Sequence, residues 1–195
     1  MVGRLPVPDP PLRSSTVGLR AWKTADLSAV VAAWQNPSIA RFSAAVPAPF
    51  TLSDVRDWLS SQGAARQAGS RLELAIVPAE SRVPCGAITL SSVERKHARA
   101  MLSSWLTPEG RGRGLATEAV RLLAGWAFDV LGLVRLEMFI EPDNFASQRV
   151  AERCGFTREG LLRSRWVSKG QRRDSIVYGL LAHEEANVSV PPASW

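Results

Sequence analysis

The stretch from Trp105 to Ala119, WLTPEGRGRGLATEA, restricts this chain more than any other. An apolar run, Ala100-Met101-Leu102-Ser103-Ser104-Trp105-Leu106, stops at Thr107-Pro108, where a proline removes the next ladder donor. Gly110, Gly112 and Gly114 follow, separated by Arg111 and Arg113. Apolar residues then recur at Leu115, Ala119, Leu122, Leu123, Trp126, Ala127 and Val130, which is helical spacing. The stretch reads strand, glycine loop, helix. Such a junction suits an anion, because the first amides of a helix lack intrahelical acceptors and the macrodipole adds positive charge there. Glycines admit positive φ and let the backbone close round a phosphate, and two arginines add full charges.

Two familiar phosphate loops do not fit. Walker A requires Lys and then Ser/Thr after Gly-x-x-x-x-Gly, and the fifth residue beyond Gly110 is Leu115. The dinucleotide fingerprint read from Gly112 places Thr117 where a third small residue should pack.

At 195 residues and 46% apolar content, the chain can bury one sizeable core, so a single domain is expected. Lys and Arg number 24 against 18 acids, a formal charge of +6. That excess is compatible with an anionic ligand, a nucleic-acid-associated partner or a generally basic surface, and does not choose among them. Cys85 and Cys154 lie among apolar neighbours and form no Cys-x-x-Cys pair, so buried reduced thiols are expected rather than a disulfide. With only His97 and His183, a histidine-based metal centre is not expected. No apolar run has transmembrane length and the start lacks a signal-peptide core, so the expected compartment is the cytoplasm.

In chain order, residues 1–16 carry four prolines and read as a flexible or loosely docked tail. Val17 to Trp22 is a strand. Thr24 can cap a helix through Leu27, Val30, Val31 and Trp34, which ends before Asn36-Pro37. Ile39 to Phe50 reads as irregular. A second helix starts at Thr51 or Ser53 and ends near Gly63. Strands follow over Leu72–Val77 and Cys85–Leu90, with Glu94-Arg95-Lys96 as the connection into the strand before the glycine loop. Gly132 closes the long helix. Val134–Ile140 is a strand, Phe145–Cys154 a short helix, and Phe156–Trp166 and Ser175–Leu181 are strands joined at Lys169-Gly170. The domain spans 17–183, and 184–195 reads as a C-terminal tail. An order of β, α, α, three strands, loop, α, β, α, β, β implies a mixed sheet with helices on its faces.

The loop Arg111-Gly112-Arg113-Gly114-Leu115-Ala116 resembles the acyl-CoA loop, Gln/Arg-x-x-Gly-x-Gly/Ala, of the GNAT N-acyltransferases. The following segment, with Asn144-x-x-Ser147, Gly155-Phe156 and Arg173-Asp174 before Tyr178, is similar to the RimJ/RimL branch, the ribosomal-protein N-terminal acetyltransferases and their relatives. The element order fits the same family over residues 17–183. The resemblance implies an α/β (α+β) fold: a mixed, mostly antiparallel sheet, helices on both faces, and a splayed V between the strands flanking the CoA loop. It implies acetyl-CoA as acyl donor with no metal. The acceptor would be a small-molecule amine or a protein N-terminus, a ribosomal protein being one candidate. A homodimer fits, and neither a membrane nor direct nucleic-acid binding is expected.

The resemblance also implies roles. Main-chain groups of Trp105 and Leu106 would clamp pantetheine, and an oriented amide there would stabilise the developing oxyanion. The loop from Arg111 through Gly112, Arg113, Gly114, Leu115, Ala116 and Thr117 would hold the diphosphate. Asn144 is an N-cap by its position, and the resemblance adds a hydrogen bond to the pantetheine arm. Ser147 is either an ordinary first-turn serine or the acid that protonates the leaving thiolate. Arg149 and Arg153 share a helix face, as a solvated stripe or as contacts to CoA phosphate. Relatives carry a glutamate base at or near Phe139 and Trp166, and many branch members carry one at Met101; here no glutamate stands at any of them. Glu137 and Glu141 flank Phe139 on one strand face, each either a surface pairing group or a base acting through water, with Glu141 the candidate base. Trp22, Trp34, Trp58 and Phe42 belong to the two-helix segment that borders the acceptor site in this fold, either as core or as pocket lining. Competing readings are a non-catalytic CoA-binding module, motivated by the absent glutamates, and a ribosome- or RNA-associated binder, motivated by the charge.

Overall fold

The computed structural model describes residues 3–41, 51–168 and 170–185. Strands β1 (Leu12–Arg13) and β2 (Val17–Arg20) come first, then α1 (Leu27–Trp34), α2 (Pro37–Ala40) and α3 (Leu52–Gln67). Strands β3 (Arg71–Pro78), β4 (Gly86–Glu94) and β5 (Arg99–Leu106) lead to α4 (Leu115–Asp129). The chain ends with β6 (Arg135–Ile140), α5 (Phe145–Arg153), β7 (Thr157–Ser168), β8 (Gln171–Leu181) and α6 (Ala182–Glu185). The eight strands form one sheet in the order β1-β2-β3-β4-β5-β6-β8-β7, antiparallel throughout except between β5 and β6. The mixed, mostly antiparallel sheet expected from the sequence is present.

Alternation along the strands divides the two faces. Leu19, Leu74, Ile88, Leu102 and Leu136 join Leu115, Ala119 and Leu123 of α4 in the main core. Burying a leucine of this kind is worth about 1.5–3 kcal/mol relative to exposure. Arg20, one residue on from Leu19, turns to the other face and forms a two-pronged bond to Asp26 at the head of α1, at 2.7 and 3.0 Å. There α1 and α3 enclose a second, smaller core of Leu27, Val30 and Val55 with Trp22, Trp34 and Trp58 around it. Strand β3 is accordingly buried on both faces after Arg71.

The strands flanking the glycine loop part company. β5 and β6 pair only through Arg99↔Arg135, Ala100↔Leu136 and Met101↔Glu137. Beyond Met101, β5 follows β4 to the Gly86↔Leu106 rung, while β6 follows β8 through Phe139↔Val177 to Ile140↔Ile176. The gap between Leu102–Leu106 and Met138–Ile140 is the expected V. Gly86 lets β4 hold its arm of it closely, since a Cβ there would lie 2.2 Å from the Trp105 carbonyl oxygen.

Several expectations need correction. Residues before Val17 are not a loose tail through their whole length. Leu5 is fully buried, its amide donates to the Arg66 carbonyl at 3.0 Å, and Leu12–Arg13 extends the sheet. Apolar contact at Leu5 and Val7 outweighs the prolines, which still permit an extended edge segment. Thr24 is not the cap of α1: it opens a 3₁₀ turn, and Asp26 instead accepts from the Lys23 amide at 2.8 Å. Asn36 caps the extra short helix α2, accepting from the Ser38 amide. Gly63 lies inside α3, which runs to Gln67 because one glycine costs only about 1 kcal/mol in a packed helix. Phe42, most of the irregular segment up to Phe50, Lys169 and the C-terminal tail from 186 onward lie outside the described residues. Among the described residues no helix is long and apolar enough to cross a membrane, and no group of three or more His, Cys, Asp or Glu could hold a metal ion.

Candidate active site

The glycine loop is fixed from both ends. The Thr107 amide donates to the Cys85 carbonyl at 2.8 Å, and Pro108–Gly110 forms a 3₁₀ turn. Gly110 is buried against Cys85, where a Cβ would meet the sulfur at 3.0 Å. Gly112 and Gly114 adopt φ of +73° and +77°, a region that only glycine enters without strain. Gly114 is the N-cap of α4. From Gly112 through Thr117, no backbone N–H finds a backbone acceptor among the described residues. That run of free donors stands at the head of a 15-residue helix, an arrangement that suits an anion.

The two loop arginines are placed less simply than expected. Arg111 Nε donates to the Leu106 carbonyl at 3.2 Å, so its charge lies over the end of β5. Arg113 is ion-paired with Glu80 from the β3–β4 turn. The Glu80 carboxyl is held below its usual range by its own backbone amide and by Arg113. Burial pushes the Cys85 thiol up to about 11, with Arg113 opposing the shift. Neither cysteine is bonded to the other.

Helix α5 spans the distance from the V to the head of α4. Asn144 is its N-cap, accepting from the Ser147 amide at 3.2 Å, as expected. The turn before it is held by Asn144 N–H to the Glu141 carbonyl at 2.9 Å and by Gln148 Nε2 to the Pro142 carbonyl at 2.9 Å. At the far end, Cys154 Sγ donates to the Thr117 carbonyl at 3.5 Å and Arg121 reaches the Arg153 carbonyl at 2.8 Å. The Ser147 hydroxyl is half-buried and makes no hydrogen bond within the described residues. Arg149 and Arg153 are exposed on this helix, without an ion pair among the described residues.

On β6, Glu137 and Phe139 share the face turned away from the main core, and Glu141 follows directly after the strand's last residue. Glu137 is bonded to Arg135 Nε at 2.8 Å, the same guanidinium that holds Glu159, also at 2.8 Å. Glu141 is half-buried with no ion pair among the described residues. Met101 stands opposite Glu137 at the last rung of the V. Phe139 and Trp166 meet edge to face, ring centroids 6.3 Å apart, with Arg165 lying 4.8 Å over the Phe139 ring. Two positions that resemblance links to a glutamate base are thus one hydrophobic contact.

Trp58 packs edge-on against both Trp22 and Trp34, at 5.4 and 5.3 Å, and the three half-buried rings lie against the small core of Leu27, Val30 and Val55. Arg41, at the end of α2, is ion-paired with Asp143 beside Asn144 and ties the two-helix segment to the V. The Arg41–Asp143 and Arg113–Glu80 pairs had no signal in the sequence, because only the sheet order makes those residues neighbours.

A family model described as an acetyltransferase (GNAT) domain matches residues 16–157. The chain is 27% identical over 176 residues to an uncharacterised N-acetyltransferase, p20, of Bacillus licheniformis, covering 90% of this chain and 98% of that protein. It is 30% identical over 99 residues to a spermidine N(1)-acetyltransferase of Escherichia coli, covering 51% of this chain and 53% of that one. The solved structure of RimJ from Mycobacterium smegmatis, in complex with CoA-disulfide, matches with a TM-score of 0.77 at 24% identity, covering 91% of this chain and 88% of that one.

Proposed function

The chain belongs to the GNAT acetyltransferase family, and from that premise we propose that it moves the acetyl group of acetyl-CoA to a primary amine by direct attack. The observation that carries this reading is the V opening beside the free amides of Gly112–Thr117. Pantetheine fills the gap between Leu102–Leu106 and Met138–Ile140 and bonds to the main chain at Trp105 and Leu106. The diphosphate lies on the amides of Gly112, Arg113, Gly114, Leu115, Ala116 and Thr117. Arg111, Arg149 and Arg153 supply charge around it. Asn144 has its oxygen engaged as a cap, which leaves its amide nitrogen to donate to the pantetheine arm.

The reaction then needs three proton movements. Glu141, acting through water, takes a proton from the incoming ammonium and frees the nitrogen lone pair. The nitrogen attacks the thioester carbon, and a main-chain amide on β5 steadies the oxyanion. The attacking nitrogen, now cationic, gives its second proton to water, and collapse breaks the carbon–sulfur bond. The Ser147 hydroxyl gives its proton to the thiolate and is reprotonated from solvent, leaving an N-acetylated product and free CoA.

The contact between Phe139 and Trp166 favours a second reading, a module that binds acyl-CoA without turning it over, because it occupies positions where a base is expected. Incubation with acetyl-CoA and a panel of amines, scored by thiol release and product mass, separates the two. Product without added metal supports catalysis. Calorimetric binding of acetyl-CoA with no product from any amine supports the module.

A further inference from the structure

Beside the V, basic charge is concentrated at one place. Strands β7 and β8 form a long ribbon whose distal part carries Arg163, Arg165, Arg172 and Arg173, all exposed. Among the described residues, none of these four is in an ion pair. The acid within the same stretch, Asp174, accepts from the Ser164 amide at 2.8 Å, and Arg172 is bonded to the Ser164 carbonyl at 3.2 Å. Those bonds pin a bulge between Leu162 and Trp166, with Ser164 at φ +50°. Bulges re-aim the side chains around them. Here the residues after it, Arg165 and Trp166, are turned onto Phe139, which lies on β6 between Glu137 and Glu141. The basic ribbon is therefore continuous with the strand face that leads to the candidate base.

The acids around this mouth are mostly occupied. Glu137 and Glu159 are held by Arg135, and Asp143 by Arg41. Glu141 carries no ion pair among the described residues. A polyamine needs several free carboxylates to replace water around its cations, and this face offers it arginines. We infer that the acceptor is the amino terminus of a polypeptide whose next residues are acidic, the amine meeting Glu141 while the carboxylates spread along Arg165, Arg163 and Arg173. Exposed Leu162, whose cross-strand partner Ser175 lies on the β8 face shared with Arg173 and Val177, gives the peptide apolar contact. The inference rests on the acetyl-transfer reading of the V. A row of separated arginines suits an extended segment better than one compact anion.

The test uses the full chain with acetyl-CoA and synthetic peptides that begin with alanine and continue with four glutamates, four glutamines or four lysines. Spermidine and O-phosphoethanolamine serve as small acceptors. The glutamate peptide is expected to exceed the glutamine peptide by about tenfold in kcat/KM at low salt, the ratio shrinking in about 0.5 M KCl. In the triple variant Arg163→Gln, Arg165→Gln, Arg173→Gln that ratio is expected to fall to about threefold or less. Equal or better turnover of the lysine peptide or of spermidine overturns the inference while leaving acetyl transfer intact. Preferred turnover of O-phosphoethanolamine overturns it in favour of a small anionic amine. Anisotropy of the labelled glutamate peptide on the protein–CoA complex gives a reading without turnover. Binding that weakens about tenfold in the triple variant supports the surface, and binding equal to that of the glutamine peptide overturns it. Tighter binding by a single-stranded RNA of similar length also overturns it, in favour of a nucleic-acid surface.

Discussion

Phe139 on β6 and Trp166 on β7 meet edge to face with an interplanar angle of 67°. Strand β8 runs between their strands, and Phe139 pairs with Val177 while Trp166 pairs with Arg173. Such a contact is worth about 0.5–1.5 kcal/mol beyond burial. It gives the mouth of the V a firm apolar wall, and Glu141, just past the end of β6, has no ion pair among the described residues.

Gly114→Val is expected to lower acetyl-CoA affinity while leaving the protein folded. A Cβ at Gly114 meets nothing within 4 Å, so the side chain itself finds room. A left-handed φ of +77° costs a non-glycine residue about 1–2 kcal/mol, and a branched side chain stands where the diphosphate approaches. Calorimetry with acetyl-CoA, beside a thermal melt, checks both halves. Unchanged affinity in a folded variant removes the loop from the donor site.

Glu80→Gln should tighten acetyl-CoA binding, and Arg113→Ala should weaken it. The pair is solvent-exposed, so each effect is small and fades with added salt. Titrations at two salt concentrations decide it. The same affinity in both variants and the parent would leave the Arg113–Glu80 pair as ordinary surface.

Ser147→Ala is expected to reduce kcat with little change in acetyl-CoA affinity. General acid catalysis is worth about 10²- to 10⁴-fold, and a thiolate with a reference pKa near 8.5 needs only the lower end. Asn144 Oδ1 accepts from the backbone amide of residue 147, which the substitution retains, so α5 keeps its cap. Thiol release at saturating donor is the measurement. A wild-type rate would make Ser147 a plain first-turn serine.

Asp26 gives the fold a pH dependence that can be isolated. Burial pushes its carboxyl up, but bonds from Arg20 and the Lys23 amide outweigh this and leave it below its ordinary value. The ionised group therefore stabilises fully above about pH 4 and loses that contribution as pH falls through its folded pKa. Asp26→Asn should destabilise by about 1.5–3 kcal/mol at neutral pH, and the gap to the parent should close under acid. Melting curves from pH 7 down to about 2.5 test the sign. A gap that widens under acid contradicts it.

The sequence made legible what is local or periodic. Gly112 and Gly114 announced the loop, the heptad-like recurrence from Leu115 to Val130 announced α4, and Asn144 announced the head of α5. Family resemblance supplied the V, whose physical cause, rungs lost beyond Met101, is visible only once β8 is seen paired to β6. What stayed hidden depends on distant partners. Arg113 reads as a free cation until the β3–β4 turn places Glu80 beside it. Prolines before Val17 argue for a loose tail until Arg66 offers Leu5 an acceptor. Glu137 and Glu141 look alike in the sequence, and only Arg135 distinguishes them.

The seat of Leu5 also bears on the order in which the domain can form. Its hydrogen-bonding partner Arg66 lies 61 positions later, and Leu5 belongs to the same core as Ala124, Ala127 and Leu133. During synthesis that segment leaves the ribosome long before anything exists for it to rest on. It must wait, solvated and extended, until α4 is made. Prolines and arginines suit that interval, since they keep an unpaired strand from seeking another partner.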